Sequence, residues 1–235
     1  MSKTEKENSI VLLLKSMKNE YVKDTLTKGR FCFNHPIAFN KWESKDAAQY
    51  DPWDAHSAYD ATYLVYAPII GEENGMPIYG QGRKFADKAA VREQSGAVKH
   101  SPICCFRFIE ENEVTWLENG FEFSLGETAN RIINEFGHDS YIIIQAAPFI
   151  ERVRKQFPDS FLGSVAYHDK LNDYQFPVPD EIKEHVEQLF RKDERYSWQK
   201  EYRIVLPPTI DSPVFLELGS IEDIAVSGKI ADLRK

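Results

Sequence analysis

Ser124-Leu125-Gly126-Glu127 opens a helical pattern that runs to Phe136 and stops at Gly137, and Tyr141-Ile142-Ile143-Ile144-Gln145 follows as a short apolar run. Pro148 to Phe157 returns to helical spacing, and Phe161 to Tyr167 is extended again. The Ser-x-x-Glu spacing is that of a capping box, and a glycine past the last apolar residue supplies the left-handed stop. Three successive isoleucines in so short a run fit a buried strand better than a helix. Upstream, Thr62 to Ile70 and Met76 to Tyr79 read as two strands joined at Asn74-Gly75, a dipeptide that accepts the positive φ of a tight hairpin. Strand–helix–strand units mixed with hairpins predict an α+β fold: one globular domain over residues 1–235, with a mixed, largely antiparallel sheet flanked by helices.

The remaining elements are read in the same way. Ile10, Leu13, Leu14, Met17 and Tyr21 follow the i, i+3, i+4, i+7 spacing of an amphipathic helix, with Thr4-Glu5-Lys6-Glu7 as its capping box. Gly29 closes a second short helix, and Arg30 to Asn34 alternates as a strand. Lys84 to Gln94 is expected to be helical, Ile103 to Ile109 a buried strand, and Glu113 to Leu117 an extension of the sheet. Pro179-Asp180-Glu181 starts a late helix with Ile182, Val186, Leu189 and Phe190 on one face. Tyr202 to Leu206 is a strand stopped by Pro207-Pro208, and Val214 to Leu218 is another. Residues 34–60 carry no clean period; Trp42, Tyr50, Trp53 and Tyr59 mark them as an irregular, aromatic-rich insertion with material to pack.

Composition excludes several classes. With 29 basic residues against 37 acidic ones, the net charge is −8 and the pI about 5.4, so bulk charge argues against duplex DNA as a partner. The densest basic run, Arg152-Val153-Arg154-Lys155, is expected to be the solvated face of a helix. The longest apolar run, Ile10 to Leu14, is far short of the roughly 20 residues that cross a bilayer. The amino terminus lacks a signal-peptide core, and Cys32, Cys104 and Cys105 read as reduced, buried thiols, so a soluble cytoplasmic protein without membrane contact is expected.

Two clusters are candidates for chemistry. Asp51, Asp54 and His56 lie within six residues, and carboxylate oxygens with an imidazole nitrogen are the donors a divalent metal takes. The alternative is that Asp51-Pro52 starts a turn and Asp54 caps a helix. The second cluster is Lys192 to Arg203. On a strand, Glu201 and Arg203 share one face, where the guanidinium keeps the carboxylate ionised and fit to orient a sugar hydroxyl or stabilise an oxocarbenium-like cation. A structural ion pair is the competing reading, and Trp198 and Tyr202 are placed to wall a pocket. No P-loop, His-Glu-x-x-His, Gly-x-Ser-x-Gly or paired Cys-x-x-Cys occurs, and Gly80-Gln81-Gly82 reads as a turn.

The order of several short motifs resembles the largely bacterial and phage family called domain of unknown function 2971. Lys28 to Asn40, with Arg30, His35-Pro36 and Phe39-Asn40, is similar to that family's opening strand and its Asn-x-Pro then Phe-Asn pattern. Asp51-Pro52-Trp53-Asp54 stands for its Asp-Pro-Phe-Asp stretch, and Lys192, Trp198 and Glu201-Tyr202-Arg203 match its late Lys, aromatic and Glu-Tyr-Arg. Leu218 to Ile224 is similar as well, whereas the family's middle aromatic-x-His-Tyr-Ala stretch has no counterpart near Trp116. An early Arg30 and His35 with a late Glu201 also follows the order, though not the motifs, of ADP-ribosyltransferases.

Two functions are therefore expected. The first is a non-catalytic cytoplasmic binding or inhibitory protein, phage- or mobile-element-encoded by the resemblance, whose acidic surface docks on a host or defence protein. The alternative is an NAD- or nucleotide-directed transferase, with Glu201 stabilising the cation, Arg203 positioning it, Arg30 and His35 holding phosphate or ribose, and Trp42 or Trp53 stacking on a base. No particular cofactor is identified.

Overall fold

The computed structural model describes residues 10–36, 57–60, 65–66, 69–73, 76–79, 83–84, 90–93, 96–168 and 186–234. Strand β1 (Ile10–Met17), helix α1 (Asn19–Lys28) and β2 (Arg30–Phe33) come first. Six short strands follow: β3 (Ser57–Asp60), β4 (Val65–Tyr66), β5 (Ile69–Glu73), β6 (Met76–Tyr79), β7 (Arg83–Lys84) and β8 (Ala90–Glu93). The one-turn α2 (Gly96–Lys99) leads to β9 (Ile103–Glu110), the hairpin β10 (Thr115–Leu117) and β11 (Gly120–Glu122), and α3 (Glu127–Phe136). Next come β12 (Ser140–Gln145), α4 (Ala146–Gln156), β13 (Phe161–Ser164) and β14 (Ala166–His168). The chain closes with β15 (Arg191–Asp193), β16 (Glu201–Val205), β17 (Val214–Glu217), β18 (Ala225–Lys229) and a 3-10 turn, Ile230–Arg234.

The fold is α+β, centred on a six-stranded sheet in the order β13-β16-β9-β1-β12-β18 whose pairs are all antiparallel. Both faces of the sheet are covered. Alternation along the central strands sends Leu13 and Met17 of β1, Ile142 and Ile144 of β12 and Phe106 of β9 to one face, where Phe31 and Phe33 of β2 and Phe149 and Val153 of α4 meet them. Leu12, Leu14, Ile143 and Ile109 point to the other face, against Ala129 and Ile132 of α3 and Ile230 and Leu233 of the last turn.

This arrangement corrects the helix expected at Ile10–Tyr21. The segment Ile10–Met17 is a strand paired on both sides, to β9 and to β12, and a strand buried on both faces needs a continuous apolar run rather than an alternating one. The helical period there is a by-product of the apolar run, and the helix begins only at Asn19.

Lys84 to Gln94 is likewise not a helix where it is described. Arg83–Lys84 pairs with Val65–Tyr66, and Ala90–Glu93 pairs with Ser57–Asp60. With Ile69–Glu73 paired to Met76–Tyr79 inside them, these ladders nest one within the next, so pairing partners distant in sequence decide the conformation. Glu113–Leu117 does not extend the main sheet; Thr115–Leu117 pairs only with Gly120–Glu122, in a separate hairpin. Phe161–Tyr167 divides into β13, on the main sheet, and β14, which pairs in parallel with β15. The helix of 124–136 starts at Glu127 behind Gly126, and Ser124 Oγ accepts the Gly126 N–H instead of forming the expected box. Residues 1–9 and 169–185, which carry the early capping box and most of the late helix, lie outside the described residues.

Gly29 ends α1 in the left-handed region, at φ 59°, and its missing side chain matters twice. A Cβ there would lie 2.3 Å from the Gly219 carbonyl oxygen. Gly29→Ala is expected to lower stability by more than the roughly 1–2 kcal/mol that left-handed backbone alone costs an L-residue, read as a fall in urea midpoint at unchanged slope.

Candidate functional site

The main sheet forks at β9. Pairing of β9 with β1 runs only as far as Leu14 opposite Arg107, while at the start of β9 Ile103 exchanges two backbone hydrogen bonds with Asn34, at 3.1 and 2.9 Å. Between these points Cys104, Cys105 and Phe106 have no ladder partner on that side among the described residues. Lys15 occupies the gap: its ammonium donates to the Cys105 carbonyl at 2.7 Å and lies 5.5 Å from the centre of the Phe106 ring. A side-chain donor thus takes over where the ladder stops. A cavity of about 280 Å³ opens at this fork, lined by Leu14, Lys15 and Ser16 of β1, Cys32 and Asn34 beside β2, and Ile103 to Arg107 of β9. Thr128, Ile132 and Phe136 of α3 close another side.

A buried charged cluster forms the far wall. The register sets Glu201 opposite Arg107 and Arg203 opposite Cys105, so strand alternation turns all four side chains to the same face. Glu201 accepts from Lys192 Nζ through Oε1 at 2.6 Å and from Arg203 Nε through Oε2 at 2.7 Å. Lys192 also donates to Gln199 Oε1 at 2.7 Å, and Arg203 Nη1 to the Leu189 carbonyl at 2.6 Å. Arg203 is 0% exposed, Lys192 4% and Glu201 7%, so these are charged hydrogen bonds in a poorly solvated setting, unlike a surface pair.

The neighbours respond to that setting. The Cys105 thiol is pushed up to about 12, first by burial and then by the Glu201 charge, which makes it an unreactive neutral thiol at neutral pH. Tyr167, whose hydroxyl oxygen accepts the Glu201 backbone N–H at 2.8 Å, is held as a neutral phenol by burial and by the same carboxylate.

Arg107 and Trp198 also line the cavity. Arg107 Nη1 donates to the Trp198 carbonyl at 2.6 Å, and Nη2 lies 3.9 Å from Glu113. Both the Arg107 Nε–H and the Trp198 indole N–H are buried without an acceptor among the described residues. The Trp198 ring stacks near Phe136 at 6.0 Å, and the Arg131 guanidinium covers it at 3.8 Å.

His138, also on the lining, bonds Ser16 Oγ at 2.9 Å, and burial, then Lys15 and Lys18, push its pKa down from 6.5 to about 4, against the opposing pull of Asp139. The sign follows from linkage: a histidine whose folded pKa is depressed takes up its proton first in the unfolded chain, so its contribution to stability falls as pH drops from 6.5 to about 4 and falls no further below. His138→Asn is expected to flatten the stability profile across that window, checked by urea midpoints at pH 7, 5.5 and 4.

The structure places the candidate residues unequally. Glu201 and Arg203 meet on the cavity wall. Arg30 does not join them: it lies on the outer end of β2, 3.7 Å from Asp24 and 3.9 Å from Glu217, over the Phe215 ring. His35 is buried beside His100, ring centres 5.5 Å apart, and burial followed by that second imidazole lowers its pKa. It does not line the cavity. Trp42, Asp51, Trp53, Asp54 and His56 lie outside the described residues, as do residues 80–82. Among the described residues no group of three or more His, Cys, Asp or Glu is placed to hold a metal.

Cys104 is buried as expected, but Cys32 is exposed to solvent, which corrects its reading as a buried thiol; all three thiols are free and all three line the cavity. Lys15 is the residue that sequence reading missed. Its signal was a lone lysine inside the apolar run Ile10–Met17, which a surface helix would have explained and a central strand does not. No described helix is long and apolar enough to cross a membrane. Compared with protein-family models, curated proteins and solved structures, the chain has no significant match.

Proposed function

We propose that this chain is a non-catalytic, cytoplasmic binding protein whose small-molecule site is the cavity at the fork of β1, β2 and β9. The observation that carries this reading is the state of Glu201: both carboxylate oxygens are taken, one by Lys192 and one by Arg203. A carboxylate that stabilises a ribosyl cation needs an oxygen turned to the substrate, whereas one clamped between two buried cations fixes the wall of a pocket. The cavity's volume, about 280 Å³, is just below the roughly 300–1,000 Å³ that houses drug-sized ligands, and small for a dinucleotide. The test is incubation with NAD while free nicotinamide is measured. Release at the rate of the buffer blank is expected; release by the wild type that Glu201→Gln abolishes would establish the transferase instead.

A second reading concerns a protein partner, and one observation favours it. The β10–β11 hairpin presents Trp116 at 55% exposure and Leu117 at 49%, beside the acidic Glu118 and Glu122. An exposed aromatic and an exposed aliphatic side chain on a hairpin that also carries two carboxylates fit a partner with apolar surface edged by Lys or Arg. A protein retained from a bacterial lysate by the wild type and lost with Trp116→Ser and Leu117→Ser supports this docking face, and equal retention excludes it.

A further inference from the structure

We infer that the ligand of the fork cavity carries an oxyanion headgroup, carboxylate or phosphate, on a compact apolar body, and that Lys15 receives the headgroup. This inference rests on the binding reading above and sharpens it.

Charge on the lining is the first argument. Among the described lining residues the charged groups are the cations Lys15, Arg107, Lys192 and Arg203 and the carboxylate Glu201. A concave, poorly solvated site focuses the field of an uncompensated charge on a ligand of the opposite sign. The cations are not equivalent. Lys192 and Arg203 share Glu201. Arg107 has Glu113 at 3.9 Å. Lys15 has no carboxylate within ion-pair distance among the described residues; its partners are the Cys105 carbonyl, the Cys104 thiol and the Phe106 ring. An ammonium offers three donors, and the carbonyl and the thiol use two. The headgroup belongs where the charge is least compensated.

The second argument is the rest of the lining. Leu14, Ile103, Ile132, Phe136 and Trp198 give an apolar wall across from the charged one, which suits a hydrocarbon or aromatic body rather than a bare inorganic ion.

The test uses probes that share one body: naphthalene-2-carboxylate, 2-naphthyl phosphate, the neutral 2-naphthalenemethanol and the cationic 2-naphthylmethylamine, each titrated by calorimetry. The two anions are expected to bind roughly tenfold or more tightly than the alcohol, the ratio of one charged hydrogen bond, and the amine not to bind. Preference for one anion over the other then tells carboxylate from phosphate ligands. Lys15→Met is expected to erase the anion preference while binding of the alcohol persists, and Lys15→Arg to retain it, which guards against a folding defect in the methionine variant. If all four probes bind alike and Thr128→Trp, which puts an indole on the cavity lining, expels them, the cavity binds ligands but the headgroup inference is wrong. An anion preference unchanged in Lys15→Met also overturns it. No binding of any probe at millimolar concentration overturns the binding reading itself.

Discussion

Glu201→Leu is expected to destabilise the protein by about 3–5 kcal/mol, the usual penalty for breaking a buried ion cluster from one side. The substitution removes the carboxylate that accepts from both Lys192 and Arg203, and both cations stay in a setting where they are 4% and 0% exposed. Against a total stability of about 5–15 kcal/mol for an ordinary domain, that is a large fraction. The loss comes from the stranded charges rather than from a missing attraction. Glu201→Leu combined with Lys192→Met and Arg203→Met is therefore expected to recover a substantial part of it. Urea denaturation of the single and triple variants is the check. A single-variant loss below about 1 kcal/mol would mean that the cluster is solvated and not the rigid wall described above.

Phe149→Ala is the second large effect. Phe149, on α4, is 0% exposed and sits edge-on to both Phe31 of β2 and Phe106 of β9, with ring centres 5.4 Å apart in each case. One side chain thus joins the helix, the outer strand pair and the main sheet. Truncation removes most of the ring's buried area and leaves a void that three different elements must relax to close, a change that typically costs about 3–5 kcal/mol. Because Phe106 lines the fork cavity, the same variant is expected to loosen that site and weaken probe binding as well. Phe149→Leu keeps more of the volume and is expected to lose clearly less. Equal stability of Phe149→Ala and wild type in guanidinium chloride would contradict the packing.

The sequence carried the elements whose signals are local. The strand at Ser140–Gln145 is bracketed by helices with glycine or proline punctuation, and the structure has it within a residue of the expected bounds. Gly29 and Gly137 both stop helices in the left-handed region, as glycine after an apolar face predicts. What failed depended on distant partners. Ile10–Met17 is a strand because β9 and β12 flank it, and nothing within eight residues encodes that. Arg83–Lys84 and Ala90–Glu93 are strands because Val65–Tyr66 and Ser57–Asp60, well upstream, pair with them.

The site divides in the same way. That Glu201 and Arg203 share a face follows from strand period alone, and the flanking residues Lys192 and Trp198 were in view from the same segment. That Lys15 and Arg107 reach the same cavity required knowing which strands are neighbours. Arg30 follows the early-arginine order of the ADP-ribosyltransferases, but its own neighbours Asp24 and Glu217 hold it at the far end of β2, and Cys32 and Asn34 reach the fork instead.

The most direct test of the central claim, that the fork cavity is the ligand site, is a calorimetric titration of the wild type and of Thr128→Trp with naphthalene-2-carboxylate at pH 7. Saturable one-site binding to the wild type, lost in a folded Thr128→Trp variant, is the predicted result. Equal binding to both proteins would place the ligand elsewhere and contradict the account.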